Sequence, residues 1–150
     1  MQRRRFLARA GSAATVASTI PLSGCLGSLG TGNGGAGDGD YPYDVGMTAT
    51  TFRPQEVTIA VGETVTWRNT SARTHTVTAY EDAIPEDAEY FATGGYDDEE
   101  TARDEWWSNR GGALENADEF THTFEIPGRY DYVCIPHEQG GMIGAVIVEE

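Results

Sequence analysis

The chain has 150 residues, with 24 acidic side chains against 10 arginines and no lysine, and a formal net charge of −14. Such a balance excludes nucleic acid as a partner, because phosphates are held by basic patches. Two cysteines, three histidines and three methionines leave few side chains for metal chemistry, so any cluster of them in sequence carries information.

Residues 1–24, "MQRRRFLARAGSAATVASTIPLSG", have the layout of an export leader, with a basic start followed by a small-residue apolar run. The run is too short to span a bilayer, which takes roughly 20 apolar residues. "RRRFL" resembles the twin-arginine export motif, and "LSGC" at Leu22–Cys25 resembles a lipobox. The expectation is cleavage before Cys25 and lipidation of its thiol. That exports the protein and anchors it by lipid to the outer face of the cytoplasmic membrane. The alternative is a leader that stays as an uncut anchor. Cys134 is then the sole cysteine of the mature chain, and an unpaired exported thiol calls for protection, which a metal bond supplies. All 24 acids follow Cys25 and four of the ten arginines precede it, so the mature chain carries a formal charge of −18. Acids spread along the whole mature chain read as a solvating surface, with a docking surface for basic partners as the alternative.

Residues 25–40 are rich in Gly and Ser without apolar periodicity, a flexible lipid-attached linker. Residues 41–150 suffice for one domain with one core. Val57, Ile59 and Val61 alternate with polar residues, as do Val65 and Trp67, with a turn at Gly62-Glu63. Thr74–Tyr80 is a β-branched run and is predicted to be a strand. Phe120, His122, Phe124 and Ile126 share one parity, and Pro127-Gly128 turns that strand into Tyr130–Cys134. Met142–Val148 closes the domain. These short strands and tight turns predict an all-β sandwich. Residues 81–119 break the pattern as an acidic excursion of short helix and loop, which Trp106 and Trp107 are expected to anchor, a binding surface being the alternative.

Cys134, His137 and Met142 lie in "CIPHEQGGM", where a chain leaving a strand folds back through two glycines. A fourth donor must come from elsewhere. His75 sits at a strand start, on the rim where such a loop lies, whereas His122 is mid-strand and reads as a packing residue. Two imidazoles, one thiolate and one thioether suit neither structural zinc nor the oxygen-seeking magnesium and calcium. They match a mononuclear type 1 copper, which carries single electrons.

"YDYVCIPHEQGGMIGAVIV" resembles the copper loop of the plastocyanin group of cupredoxins, and "VTIAVGETVTWRNTSARTHTVTAYEDAIP" resembles the upstream half of that group. "AIPEDAEYFATGGYDDEETARDEW" and "FTHTFEIPGRYDYVCIPHE" are closer still to the halocyanins, blue copper proteins of haloarchaea, whose lysine-poor acidity the chain shares. The resemblance covers residues 41–150. It implies a Greek-key cupredoxin sandwich of about eight strands with His75, Cys134, His137 and Met142 on one copper. It also implies a monomeric electron carrier, not an enzyme, serving membrane electron-transfer proteins of a respiratory chain. A copper store would want Met-rich or His-rich tracts, and a copper oxidase or nitrite reductase several more histidines. The chain departs from plant plastocyanins at Thr76, which stands where those have an Asn tying the ligand loops together. Asn69-Thr70-Ser71 matches a glycosylation sequon, with a structural role for Asn69 behind the ligands as the alternative.

Overall fold

The computed structural model of the chain describes residues 42–150. The leader, Cys25 and the linker through residue 40 lie outside the described residues, and so do the expectations placed on them.

Eight strands form two four-stranded sheets. In the first the order is β2 (Phe52–Arg53), β1 (Val45–Met47), β4 (Thr64–Asn69) and β6 (Glu119–Thr123); in the second it is β3 (Glu56–Ala60), β8 (Ile143–Glu149), β7 (Gly128–Val133) and β5 (Thr78–Ala79). β1 runs parallel to β4 and β3 parallel to β8, while the other pairs are antiparallel. The chain therefore crosses between sheets at β2–β3, β3–β4, β4–β5, β5–β6 and β6–β7, the wrapping expected of a Greek-key sandwich.

Alternation decides the core. Val65, Trp67 and Asn69 of β4 are buried while Thr64, Thr66 and Arg68 are partly exposed, as period two requires on a half-buried sheet. Trp67 is the hub. Tyr132 meets it edge-on at 5.4 Å, and the rings of Phe91, Phe120 and Phe124 lie at 6.0, 5.6 and 6.4 Å. Gly62 makes the β3–β4 turn at φ 87°, a backbone that glycine adopts without steric cost.

Two expectations need correction. Thr74–Tyr80 is not a continuous strand: only Thr78–Ala79 pairs with β7. The reason is competition for its backbone. His75 bridges Leu114, and the N–H groups of Thr93 and Ala79 donate to Val77 and Phe91, so the excursion occupies that edge. Trp106 and Trp107 also part ways. Both lie on α1 (Glu99–Asn109), but Trp106 is buried and Trp107 is 70% exposed, since adjacent helical residues point about 100° apart. The excursion joins the core cluster through Phe91 and Leu114, while Trp106 is buried outside that cluster. α1 starts at Asp98, whose side chain accepts the Thr101 N–H, and stops at Arg110 in the left-handed conformation.

Among the described residues the ion pairs involve only Arg68, Arg103 and Arg129, so most carboxylates have no cationic partner. Screening therefore has to do what pairing does not. The Debye length is about 3 Å at 1 M salt and about 30 Å at 0.01 M. The metal-free protein should lose about 10 °C or more of melting temperature over that range, corresponding to roughly 2 kcal/mol. Thermal melts against salt concentration measure this, and a flat curve would mean the acids are balanced locally.

Candidate metal centre

The site is built at one end of the sandwich from a loop that closes on itself. β7 delivers Cys134, and a short 3-10 turn, Ile135–Gly140, follows with Pro136 near its start. The His137 N–H donates to Cys134 O at 3.1 Å, Met142 N–H to His137 O at 3.2 Å, and Cys134 N–H to Met142 O at 3.0 Å. Three donor residues are thus tied to one another through the backbone. Gly141 reverses the chain at φ 83°, which explains a glycine at this point.

His75 reaches the site from the other side. Its N–H donates to Leu114 O at 3.1 Å and its carbonyl accepts the Leu114 N–H at 2.8 Å. His75 and Cys134 are fully buried, Met142 is 1% exposed, and His137 is half-buried. The Nδ1 atoms of His75 and His137 each lie 3.4 Å from Cys134 Sγ, and all three ligand atoms lie within 4.8 Å of one another. Metal bonds of about 2.0 Å to nitrogen and 2.3 Å to sulfur, at tetrahedral to trigonal angles, put N and S roughly 3.5–3.7 Å apart, close to the observed separations. The donors therefore fit one ion. Met142, buried in the same loop, adds the thioether that separates this set from a structural zinc site. His122 stays out of the site, stacked on Phe91 at 4.7 Å and edge-on to Phe124 at 4.8 Å.

Polar groups behind the ligands fix their aim. Thr76 N–H points at Cys134 Sγ at 3.5 Å, and its Oγ1 accepts the Ile135 N–H at 2.9 Å, so Thr76 does join the two ligand segments. Asn69 is fully buried. Its Nδ2 donates to Arg73 O and Leu114 O at 2.6 and 2.8 Å, and its Oδ1 accepts from Ser71 N–H and Ser71 Oγ. Both amide hydrogens are spent on carbonyls, which favours the structural reading of Asn69 over the glycan. The Ser71 hydroxyl sits 3.0 Å from His75 Nε2. That contact leaves Nδ1 as the metal-facing nitrogen, because a ligating imidazole is oriented by a partner on its other nitrogen. Ser71 and Leu114 were not anticipated. Ser71 stands four residues before His75 inside the sequon, a motif that singles out Asn69 alone.

Burial sets the protonation of the ligands ahead of metal uptake. It lowers His75 to about 4, with the neighbouring His137 adding to the effect, and it lowers His137 as well. Burial raises the Cys134 thiol to about 11, against the opposing hydrogen bond from Thr76. At neutral pH the metal-free site therefore holds two neutral imidazoles and a protonated thiol. Metal uptake at pH 7 should release about one proton, from Cys134, with none from the histidines. A pH-indicator titration in weak buffer measures this, and release near zero would mean a preformed thiolate.

Residues 41–149 match a family of copper binding proteins described as the plastocyanin/azurin family. Over 101 residues the chain is 33% identical to the chloroplastic plastocyanin of Tetradesmus obliquus, an alignment of 67% of this chain and 60% of that protein's length. Among solved structures, an oxidised amicyanin variant aligns with 70% of this chain and 79% of its own at a TM-score of 0.51 and 26% identity. A copper-containing nitrite reductase from Thermus scotoductus SA-01 aligns through 22% of its own chain and 71% of this one, with TM-score 0.51 and 24% identity, and so shares the fold alone.

Proposed function

Because this chain belongs to the plastocyanin/azurin family of copper-binding proteins, we propose that it is a one-electron carrier of the halocyanin kind and not an enzyme. The carrying observation is a buried thiol 3.4 Å from two imidazole nitrogens, with His75 and Cys134 closed to solvent. Copper bound there supplies a single-electron couple between Cu(II) and Cu(I). The chain's own residues do the rest. Hydrogen bonds through Thr76, Ser71 and the loop backbone hold the donors in one geometry, so little moves when an electron comes or goes. Burial of His75, Cys134 and Met142 closes three of the four donors to solvent. His137, the ligand nearest solvent, is the electron port. The exposed Ile143, next to Met142, offers apolar surface where a partner docks at high salt.

In this reading the leader exports the chain, Cys25 takes lipid, and the acidic, monomeric domain works on the outer face of the cytoplasmic membrane between respiratory partners. The copper-loaded protein should absorb intensely in the red through thiolate-to-copper charge transfer and bleach reversibly with one electron per chain. Met142→Leu should raise the reduction potential, since a donor favouring the oxidised ion is lost. Met142→Gln should lower it, since a harder oxygen favours Cu(II). Each shift is expected to be on the order of 60 mV, a tenfold change in relative affinity for a one-electron couple. Voltammetry of both variants is the test. A weakly coloured wild-type complex, or a potential indifferent to residue 142, would overturn the reading.

A further inference from the structure

The acidic excursion reaches the ligand loop through one side chain. Arg103, in the second turn of α1, donates from Nη1 and Nη2 to the two carboxylate oxygens of Glu138 at 2.7 and 3.0 Å. Its Nε donates to Glu99 at 2.9 Å, and its guanidinium lies 5.9 Å over the Tyr80 ring. The Tyr80 hydroxyl donates to Glu138 at 3.0 Å. Glu138 directly follows His137, and its carbonyl accepts the Gly141 N–H that closes the turn. Among the described residues, the side-chain hydrogen bonds that leave the loop between Pro136 and Gly141 are all made by Glu138. Among the described residues, the turn that carries His137 is otherwise tied outside itself and its two ends through Ile135, at its first residue, whose N–H donates to Thr76 Oγ1.

We propose that Arg103 is a positioning residue for this loop: its two-pronged clasp on Glu138 holds the His137 turn against the sandwich, and delivering that clasp is what α1 is for. The inference rests on His137 being a ligand. Both side chains are partly exposed, at 27% and 36%, so the pair contributes little to global stability. Its value is geometric. A guanidinium matches a carboxylate with two parallel bonds in a plane, which restricts rotation as well as distance. A loop so held keeps one arrangement in both oxidation states of the ion.

The test uses Arg103→Gln, Arg103→Lys, Glu138→Gln and the Arg103→Gln/Glu138→Gln double variant, all in molar salt to screen bare charge. In the metal-free protein, amide hydrogen exchange at Gly141 and Met142 should quicken roughly tenfold in either single Gln variant, while exchange in the paired strands β7 and β8 stays unchanged. The double variant should add nothing, since both substitutions remove the same contact. Arg103→Lys should restore less than half of the loss, because an ammonium cannot make the paired bonds. In the copper-loaded protein, electron self-exchange should slow in the same direction for both Gln variants. A role through charge alone predicts the opposite: potential shifts of contrary sign for the two, and full rescue by lysine. That result, or unchanged exchange at Gly141 and Met142, would overturn the proposal. A wild-type complex without the charge-transfer band would overturn the copper reading instead, and the metal-free exchange data would still decide whether the clasp exists.

Discussion

Replacing Cys134 with serine is expected to abolish the intense red absorption of the copper-loaded protein and to leave a folded sandwich. Both imidazole nitrogens face the sulfur at 3.4 Å, so the thiolate is common to every short contact in the site. The charge-transfer band requires a soft, electron-rich sulfur, and a serine hydroxyl stays protonated at neutral pH and is a poor ligand for Cu(I). Folding should survive because the backbone frame of the loop does not involve the sulfur: Cys134 N–H donates to Met142 O whichever side chain residue 134 carries. The Thr76 N–H that points at Sγ can donate to the new hydroxyl. The cost is that of a hydroxyl in a buried, weakly polar place, about 1–3 kcal/mol. His122→Ala is the matched control. It removes a ring packed between Phe91 and Phe124 and should lower stability by about 1–2 kcal/mol, with the colour unchanged. Visible spectra and denaturant melts of both variants decide the matter. A serine variant that stayed intensely blue, or a folded alanine variant that lost its colour, would mean that the ligands are misassigned.

Asn69→Ala should reduce unfolding free energy by about 3 kcal/mol, because a buried network is broken and carbonyls lose donors without water to replace them. Asn69 joins Arg73 O and Leu114 O to the Ser71 hydroxyl that faces His75. Asn69→Asp should cost more than alanine. It turns an oxygen toward two carbonyl oxygens and buries a charge. Both variants free Ser71 to rotate, so the imidazole of His75 loses its outer partner and the visible band of the copper form should broaden or shift. Ser71→Ala should show the same spectral effect with a smaller stability loss, about 1 kcal/mol. A glycan attached at Asn69 predicts a different outcome: extra mass on the native protein and near-neutral stability of the alanine variant in unglycosylated material. Denaturant titration together with intact mass separates the two.

Three of the four ligands were legible because they are local. Cys134, His137 and Met142 lie within nine residues, and a turn that must reverse over two glycines leaves little freedom in where they go. The burial of Val65 and Trp67 was equally local, since a pleated strand puts every second side chain on one face. His75 rested on a strand start that Thr74–Tyr80 does not supply; its imidazole still lies 3.4 Å from Cys134 Sγ, but the partners that position it did not follow from spacing. Leu114 comes 39 residues later in the chain, and the extended run Thr74–Tyr80 looked like any β-branched strand. Which chain would pair with its edge was decided by how the excursion folds back.

The clasp between Arg103 and Glu138 marks the boundary most sharply. Nothing in the sequence distinguishes that arginine or that glutamate from the other arginines and carboxylates. Ion pairing has no periodicity and no required neighbour, and it depends only on where two long side chains end in space. By itself the sequence determined the donor set, the all-β sandwich and the acidic surface, because ligand chemistry, strand alternation and net charge are carried by residue type and short-range spacing; the count of about eight strands came only with the family resemblance. Tertiary structure alone decided that Ser71 faces His75, that Trp106 is buried while Trp107 is not, and that α1 holds the copper loop. Each of these rests on contacts between segments or on the burial of one face, and their energies exist only once the sheets have packed.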